Sequence, residues 1–281
     1  MGIMQKKLKL VQAHDVERIL RCQKNDQISD VFFARILIEN QSEQVFLKLY
    51  PQKSGSRGLL NEVLGYLYGT VANVPQPKFA GIAIVPVELL KPYSKSLSNS
   101  LQSVIDNETH LPAFFTKSIA GTQYLYDYLN PWLKQQILRW KAFQKSVVFD
   151  EIIANTDRYS RNLIHDGNNQ FYLIDNGFLA TEDNTNPNWK ASLLDPKKSF
   201  ENQLANVNYN DVVADRRKGS EFILEAETYF LSFHHLLPEM EYWITNFANE
   251  DKDDWQKFLE LLQYRTDNIH KLLCQRYDLV I

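Results

Sequence analysis

Hydrophobic and polar positions divide the chain into a strand-patterned first part and a helix-patterned remainder. Val16–Gln23 reads as a strand, followed by a polar loop over Lys24–Asp30. Val31–Glu39 and Gln44–Tyr50 are β-rich runs separated by the polar residues Asn40–Glu43, the pattern of a hairpin. A breaker-rich loop, Pro51–Gly58, comes next. The period then changes: Leu60, Leu64, Leu67 and Val71 fall on one face, which predicts a helix over Leu59–Ala72. Pro75 and Pro77 precede a return to extended structure near Phe79–Val85, and Pro112–Gly121 reads as another strand ending in a turn. Asn130 followed by Pro131 is a helix start, with Leu133, Ile137, Trp140 and Gln144 along one stripe beyond it. From Leu193 onward the pattern is largely helical. Residues 86–111, with a serine-rich stretch, fit either an inserted helix or a surface loop. The expectation is an α+β fold: a small β-rich N-terminal lobe with one helix (residues 1–120) and a larger α-helical C-terminal lobe (residues 121–281).

One stretch carries the chemistry, Ala154–Gly177: ANTDRYSRNLIHDGNNQFYLIDNG. Asp157 precedes Asn162 by five residues, and two short β-runs, NLIH and QFYLID, are joined by DGNN. Asp-Gly between β-runs signals a hairpin. Such a hairpin sets Asn162, at the start of one strand, beside Asp175, at the end of the other, so Asp157, Asn162 and Asp175 converge. Phosphoryl transfer from a Mg-nucleotide needs a carboxylate to orient and deprotonate the acceptor hydroxyl and hard oxygen ligands for Mg²⁺. Asp157 is the candidate base, Asn162 and Asp175 the candidate metal ligands. A random Asp-x4-Asn is common, because both residues favour turns; the hairpin and the terminal apolar-apolar-Asp-x-Gly make it specific. Lys48, inside the apolar run VFLKLY, and Glu62, on the next helix, add the strand lysine and helix glutamate of a nucleotide-phosphate site. The bland alternative is a solvated edge lysine and a surface glutamate. The backbone near Lys117 to Ile119, between the lobes, is positioned to meet an adenine edge. His165 is read as structural, His234 and His235 as helix residues, Asp215–Ser220 as a solvated basic turn, and Trp189, Lys190, Lys197 and Lys198 as surface residues.

Composition narrows this. The ten glycines, where average usage of about 7% gives about twenty, never form GxGxxG or GxxxxGK[ST]. Two common phosphate cradles are thereby excluded. A net charge of −3 argues against direct nucleic-acid binding. The two distant cysteines, Cys22 and Cys274, read as free thiols of a reducing compartment. With neither a signal-peptide h-region nor an 18-residue apolar window, a cytoplasmic protein without a membrane span is expected.

At NTDRYSRNL…LIDNG the chain resembles the HipA-like kinases and their relatives, the phosphatidylinositol 3-/4-kinases. Asn155, Asp157 and Asn162 match the catalytic loop of those families, and Asp175 the metal aspartate. FLKLYPQKSGSRGLLNEVLGYLYG matches their strand lysine and helix glutamate, which gives Lys48 and Glu62 ATP-site roles by resemblance; VPQP fits the same pattern. The resemblance implies a two-lobed protein-kinase-like fold, ATP and Mg²⁺ as cofactors, and γ-phosphoryl transfer to a Ser/Thr hydroxyl of a protein. It further implies a toxin–antitoxin context with an antitoxin or regulatory partner, and makes Ser29 a candidate for autophosphorylation. Tyr159 stands where the families have His. The length suits a stand-alone kinase core. Two other readings stand beside this one: a small-molecule or lipid kinase on the same fold, and a catalytically inactive nucleotide-binding or scaffold module.

Overall fold

The computed structural model describes residues 7–23, 29–50, 57–125, 130–182, 186–191, 194–207, 215–227, 233–248 and 252–279. The polar stretch 24–28 and residues 51–56 of the breaker-rich loop lie outside them. The fold is mixed α+β. Strands β1 (Lys9–Val11), β2 (Val16–Gln23), β3 (Asp30–Ile38), β4 (Gln41–Leu49), β5 (Ala80–Pro86) and β6 (His110–Lys117) form one sheet in the order β1-β5-β6-β4-β3-β2. Only β1 and β5 run parallel; the other neighbours are antiparallel.

The β3–β4 hairpin has a tighter turn than the Asn40–Glu43 loop expected from sequence. Glu39 and Asn40 both take left-handed backbone (φ 52° and 63°), which closes it in two residues. Ser42 and Glu43 then pair with Leu37 and Ile36 instead of lying in the loop. Alternation along β4 is clean. Val45, Leu47 and Leu49 are buried against Ala83, Val85 and Phe115 on one face, while Phe46 and Lys48 face a cleft on the other.

Residues 86–111 resolve into two short 3₁₀ turns and a helix, α2 (Asn99–Ile105). They form a lid over the sheet face away from the cleft. Leu90, Leu97, Leu101 and Ile105 join the cluster under β3, β4 and β5. Ser98 caps α2 by accepting from the Leu101 N–H (3.2 Å), and its own N–H donates to Asp30 Oδ1 on β3 (2.8 Å). The inserted helix is therefore the correct alternative. Its signal was the four-residue spacing Leu97-Leu101-Ile105.

Helix α1 (Arg57–Ala72) departs from the one-sided pattern expected of it. Thirteen of its sixteen residues are buried. It packs against β6 on one side and against helices from the second half of the chain on others, so no face is left for water. Gly65 permits a close approach to the site: a Cβ there would lie 2.5 Å from Asn176 Cβ.

A second, three-stranded antiparallel sheet joins β7 (Thr122–Gln123), β8 (Leu163–His165) and β9 (Phe171–Leu173). Around it lie α3 (Pro131–Arg139), α4 (Phe143–Ile153), α5 (Gln203–Asn206), α6 (Asp215–Glu227), α7 (Phe233–Phe247), α8 (Lys252–Asp267) and α9 (Ile269–Arg276). Asn130 caps α3 as expected, its side chain accepting from the Trp132 N–H (3.0 Å) and the Leu133 N–H (3.3 Å). The basic run expected as a turn, Asp215–Ser220, is instead the start of α6. One apolar cluster links α1 with the helices of the second half, from Leu8 to Tyr277. Among the described residues no helix is long and apolar enough to cross a membrane.

Candidate active site

The β8–β9 hairpin positions the polar loop residues. Its turn runs through Asp166, whose Oδ1 accepts from the Asn168 N–H (2.8 Å), and through Gly167 at φ 87°. Leu163 pairs with Leu173, so Asn162 faces Ile174, whose N–H donates to the Asn162 carbonyl (3.1 Å). Asp175 comes one residue later than a direct pairing with Asn162 requires, and it takes left-handed backbone at φ 67°. This conformation is unusual for a non-glycine residue. It is held by fixed partners on both sides. The Arg158 guanidinium donates to the carbonyls of Ile174 and Asp175, and the Asn176 N–H donates to Glu62 Oε2 (2.8 Å).

Asp175, Lys48 and Glu62 meet in one constellation. Lys48 Nζ lies 2.7 Å from Glu62 Oε1 and 2.8 Å from Asp175 Oδ2. The Tyr50 hydroxyl donates to the same Glu62 oxygen (2.9 Å), and the Gly177 N–H donates to Asp175 Oδ1 (3.3 Å). Gly177 is required by crowding, since a Cβ there would sit 2.6 Å from the Tyr50 hydroxyl. Burial opposes the charge on all three ionisable groups. For Lys48 the two carboxylates overcome burial and raise its pKa. For Glu62 burial prevails over Lys48 and raises it. For Asp175 burial pushes upward but Lys48 prevails, holding the carboxyl below its usual value. Burial, with Glu62 next, pushes the Tyr50 hydroxyl well above its ordinary range.

Asp157 adjoins the cleft through Arg161 and Asn162, both of which line it. Its N–H donates to Asn155 Oδ1 (3.0 Å), which fixes the loop, and Asn162 Nδ2 donates to Asp157 Oδ2 (3.0 Å). Arg161 donates to Asp157 Oδ1. Burial first, and the charge of Asp175 second, raise the Asp157 carboxyl to about 6. A carboxyl held there is poised for proton transfer near neutral pH.

Sequence reasoning missed the scaffold beneath these residues. Arg158 is wholly buried, forking onto Asp150 through Nε (3.1 Å to Oδ2) and a terminal nitrogen (3.1 Å to Oδ1), and it reaches Asn176 Oδ1 at 2.6 Å. Asn61, on α1, donates to the carbonyls of Gly177 (2.8 Å) and Pro187 (3.0 Å) and accepts from Trp189 Nε1 (3.1 Å). Trp189, expected at the surface, is buried against Phe258. Ser29, the candidate modification site, is buried.

The cleft is lined by Val31, Phe46, Lys48, Phe114, Ile119, Asn162, Ile174 and Asp175, among others. Of the two backbone positions expected at an adenine edge, Lys117 is already committed: its N–H donates to the Phe79 carbonyl (2.9 Å). Ser118 likewise donates to the Gln44 carbonyl (3.1 Å). The Ile119 N–H has no hydrogen-bond partner among the described residues.

Among the described residues no group of three or more His, Cys, Asp or Glu side chains forms a metal cluster. Magnesium does not require one: it is commonly held by one or two carboxylates with substrate phosphates and waters. Asp175 supplies a carboxylate. Asn162 spends its amide nitrogen on Asp157, so Oδ1 is the atom that could meet a metal. No protein-family model matches the chain, and no curated protein matches it.

Proposed function

We propose that this chain is an ATP- and Mg²⁺-dependent kinase of HipA-like type, on a two-lobed protein-kinase-like fold, that phosphorylates a Ser/Thr hydroxyl of a protein. The observation that carries the reading is the junction of Lys48, Glu62 and Asp175 within hydrogen-bond distance, on the cleft that Asn162 also lines. A buried lysine between two carboxylates is a costly arrangement. It is useful where a phosphate chain takes the place of one carboxylate.

In this reading Glu62 orients Lys48 towards the phosphates, and Tyr50 and the Asn176 N–H keep Glu62 in place. Asp175 and Asn162 hold Mg²⁺ through side-chain oxygens; bound there, the metal neutralises charge developing on the phosphoryl group. Asp157 accepts the proton of the acceptor hydroxyl, with Asn162 on Oδ2 fixing its orientation. Val31 and Ile174 line the apolar part of the cleft, and the Ile119 N–H is free to meet a base edge.

Two measurements test this. A thermal-shift titration with Mg-ATP is expected to raise the melting temperature, and no shift counts against any kinase. Labelled ATP incubated with the chain and a protein lysate is expected to label protein, with Asp157→Asn as the control. Equal labelling by that variant removes Asp157 from its role.

A further inference from the structure

Among the described residues lining the cleft, three are cations: Lys48, Lys117 and Arg161. Lys48 bridges Glu62 and Asp175, and Lys117 on β6 pairs with Glu43 on the neighbouring strand β4. Arg161 differs, because its carboxylate is Asp157 itself, at Oδ1. Asn162 occupies Oδ2 of the same group. Any hydroxyl that gives its proton to Asp157 therefore arrives beside the Arg161 guanidinium. That guanidinium lies 4.5 Å from the centre of the Tyr159 ring, and the side chain is 36% exposed. It is supported from below and open to the cleft.

An arginine presents a planar fork of donors that matches a carboxylate or phosphate in bidentate fashion. If Arg161 moves aside for an acceptor, the guanidinium needs another anion to receive it. We propose that Arg161 is a specificity-determining residue that selects acceptor segments carrying acidic side chains next to the hydroxyl, passing from Asp157 to that acidic group as the acceptor enters. This rests on the phosphotransfer reading above.

The test uses three labelled serine-centred peptide libraries, with flanks drawn from Asp/Glu, from Asn/Gln or from Lys/Arg. Each is titrated against the full chain with Mg²⁺ and a non-hydrolysable ATP analogue, and binding is read by fluorescence anisotropy. The acidic library is expected to bind at least about tenfold tighter than the neutral one, as for a charge-assisted contact. Arg161→Glu is expected to invert the ranking in favour of the basic library. Arg161→Lys is expected to keep the ranking with a smaller ratio. Equal affinities, no binding by any library, or an unchanged ranking in Arg161→Glu overturns the proposal. A parallel Mg-ATP thermal shift separates the two levels. No shift overturns the phosphotransfer reading and this inference with it; a shift without charge preference overturns the role of Arg161 alone.

Discussion

Two sets of buried charges use the same residue types in opposite ways. Behind the cleft, Arg158 on Asp150 and Arg265 on Glu151 have no side-chain exposure at the arginine. Arg265 also donates to the carbonyls of Glu151 (3.0 Å), Ile152 (3.2 Å) and Lys198 (3.1 Å), and Arg276 joins it on Glu151 (2.8 Å). In the cleft, Lys48 is 14% exposed and Asp175 22%. The rear set is saturated, so it ties elements together. The cleft set is partnered but reachable, so a ligand can exchange with one of its members. Access and saturation, not residue identity, separate framework from chemistry.

The largest effect that sharpens this contrast is expected from Asp157→Asn. If Asp157 is the base of the proposed phosphoryl transfer, its loss is expected to lower the rate by about 10²–10⁴-fold. Melting should stay within about 3 °C of the wild type, because the cleft set does not hold the fold together. A comparable loss of stability would merge the two sets. Arg265→Met should do the reverse, costing on the order of 3 kcal/mol in urea unfolding: Glu151 keeps Arg276, but the carbonyls of Glu151, Ile152 and Lys198 lose the donor that Arg265 gives them. A Mg-ATP affinity that fell with it would break the comparison.

The third prediction concerns Asp150, whose carboxyl burial raises from 3.8 to about 6 despite Arg158. The folded state holds that proton over a range where the unfolded chain has lost it. Stability from this group therefore falls as pH rises through the window. The wild type should lose about 2–3 kcal/mol relative to Asp150→Asn between pH 4 and 7. A flat difference in paired urea titrations would place the cost of burial elsewhere. The smallest effect is expected from Tyr50→Phe, which removes one hydrogen bond to Glu62 and should cost about 1 kcal/mol. A tenfold drop in Mg-ATP affinity would instead make Tyr50 part of the working cleft.

The sequence was informative where spacing dictates geometry. Period-two alternation located Lys48 on its strand, and Asp-Gly marked the hairpin beside Asp157, Asn162 and Asp175. It was silent where the partner is remote. Arg158 stands next to Asp157 in the chain, yet its role depends on Asp150, eight residues upstream on α4. Asn61 looks like any helix asparagine until the Gly177 and Pro187 carbonyls arrive, more than a hundred residues later. The pattern of α1 misled because periodicity finds the most apolar face, not how many neighbours a helix has. The lid over the sheet was obscured by serines, although its apolar residues kept helical spacing.

One contact reaches further in sequence than any of these. The Glu239 carboxylate, buried on α7, accepts the backbone N–H groups of Lys7 (2.9 Å to Oε1) and Leu8 (3.0 Å). The N–H groups leading into the first strand are thus satisfied by a residue made over two hundred positions later. At about 5–20 residues per second of synthesis, the first strand waits on the order of ten seconds or more for this partner to be translated. Until then its companion β5 can pair with it, but the anchor that seats it against α7 does not exist. The Glu239 anchor is thus formed only after α7 has been made, however early β1 pairs with β5.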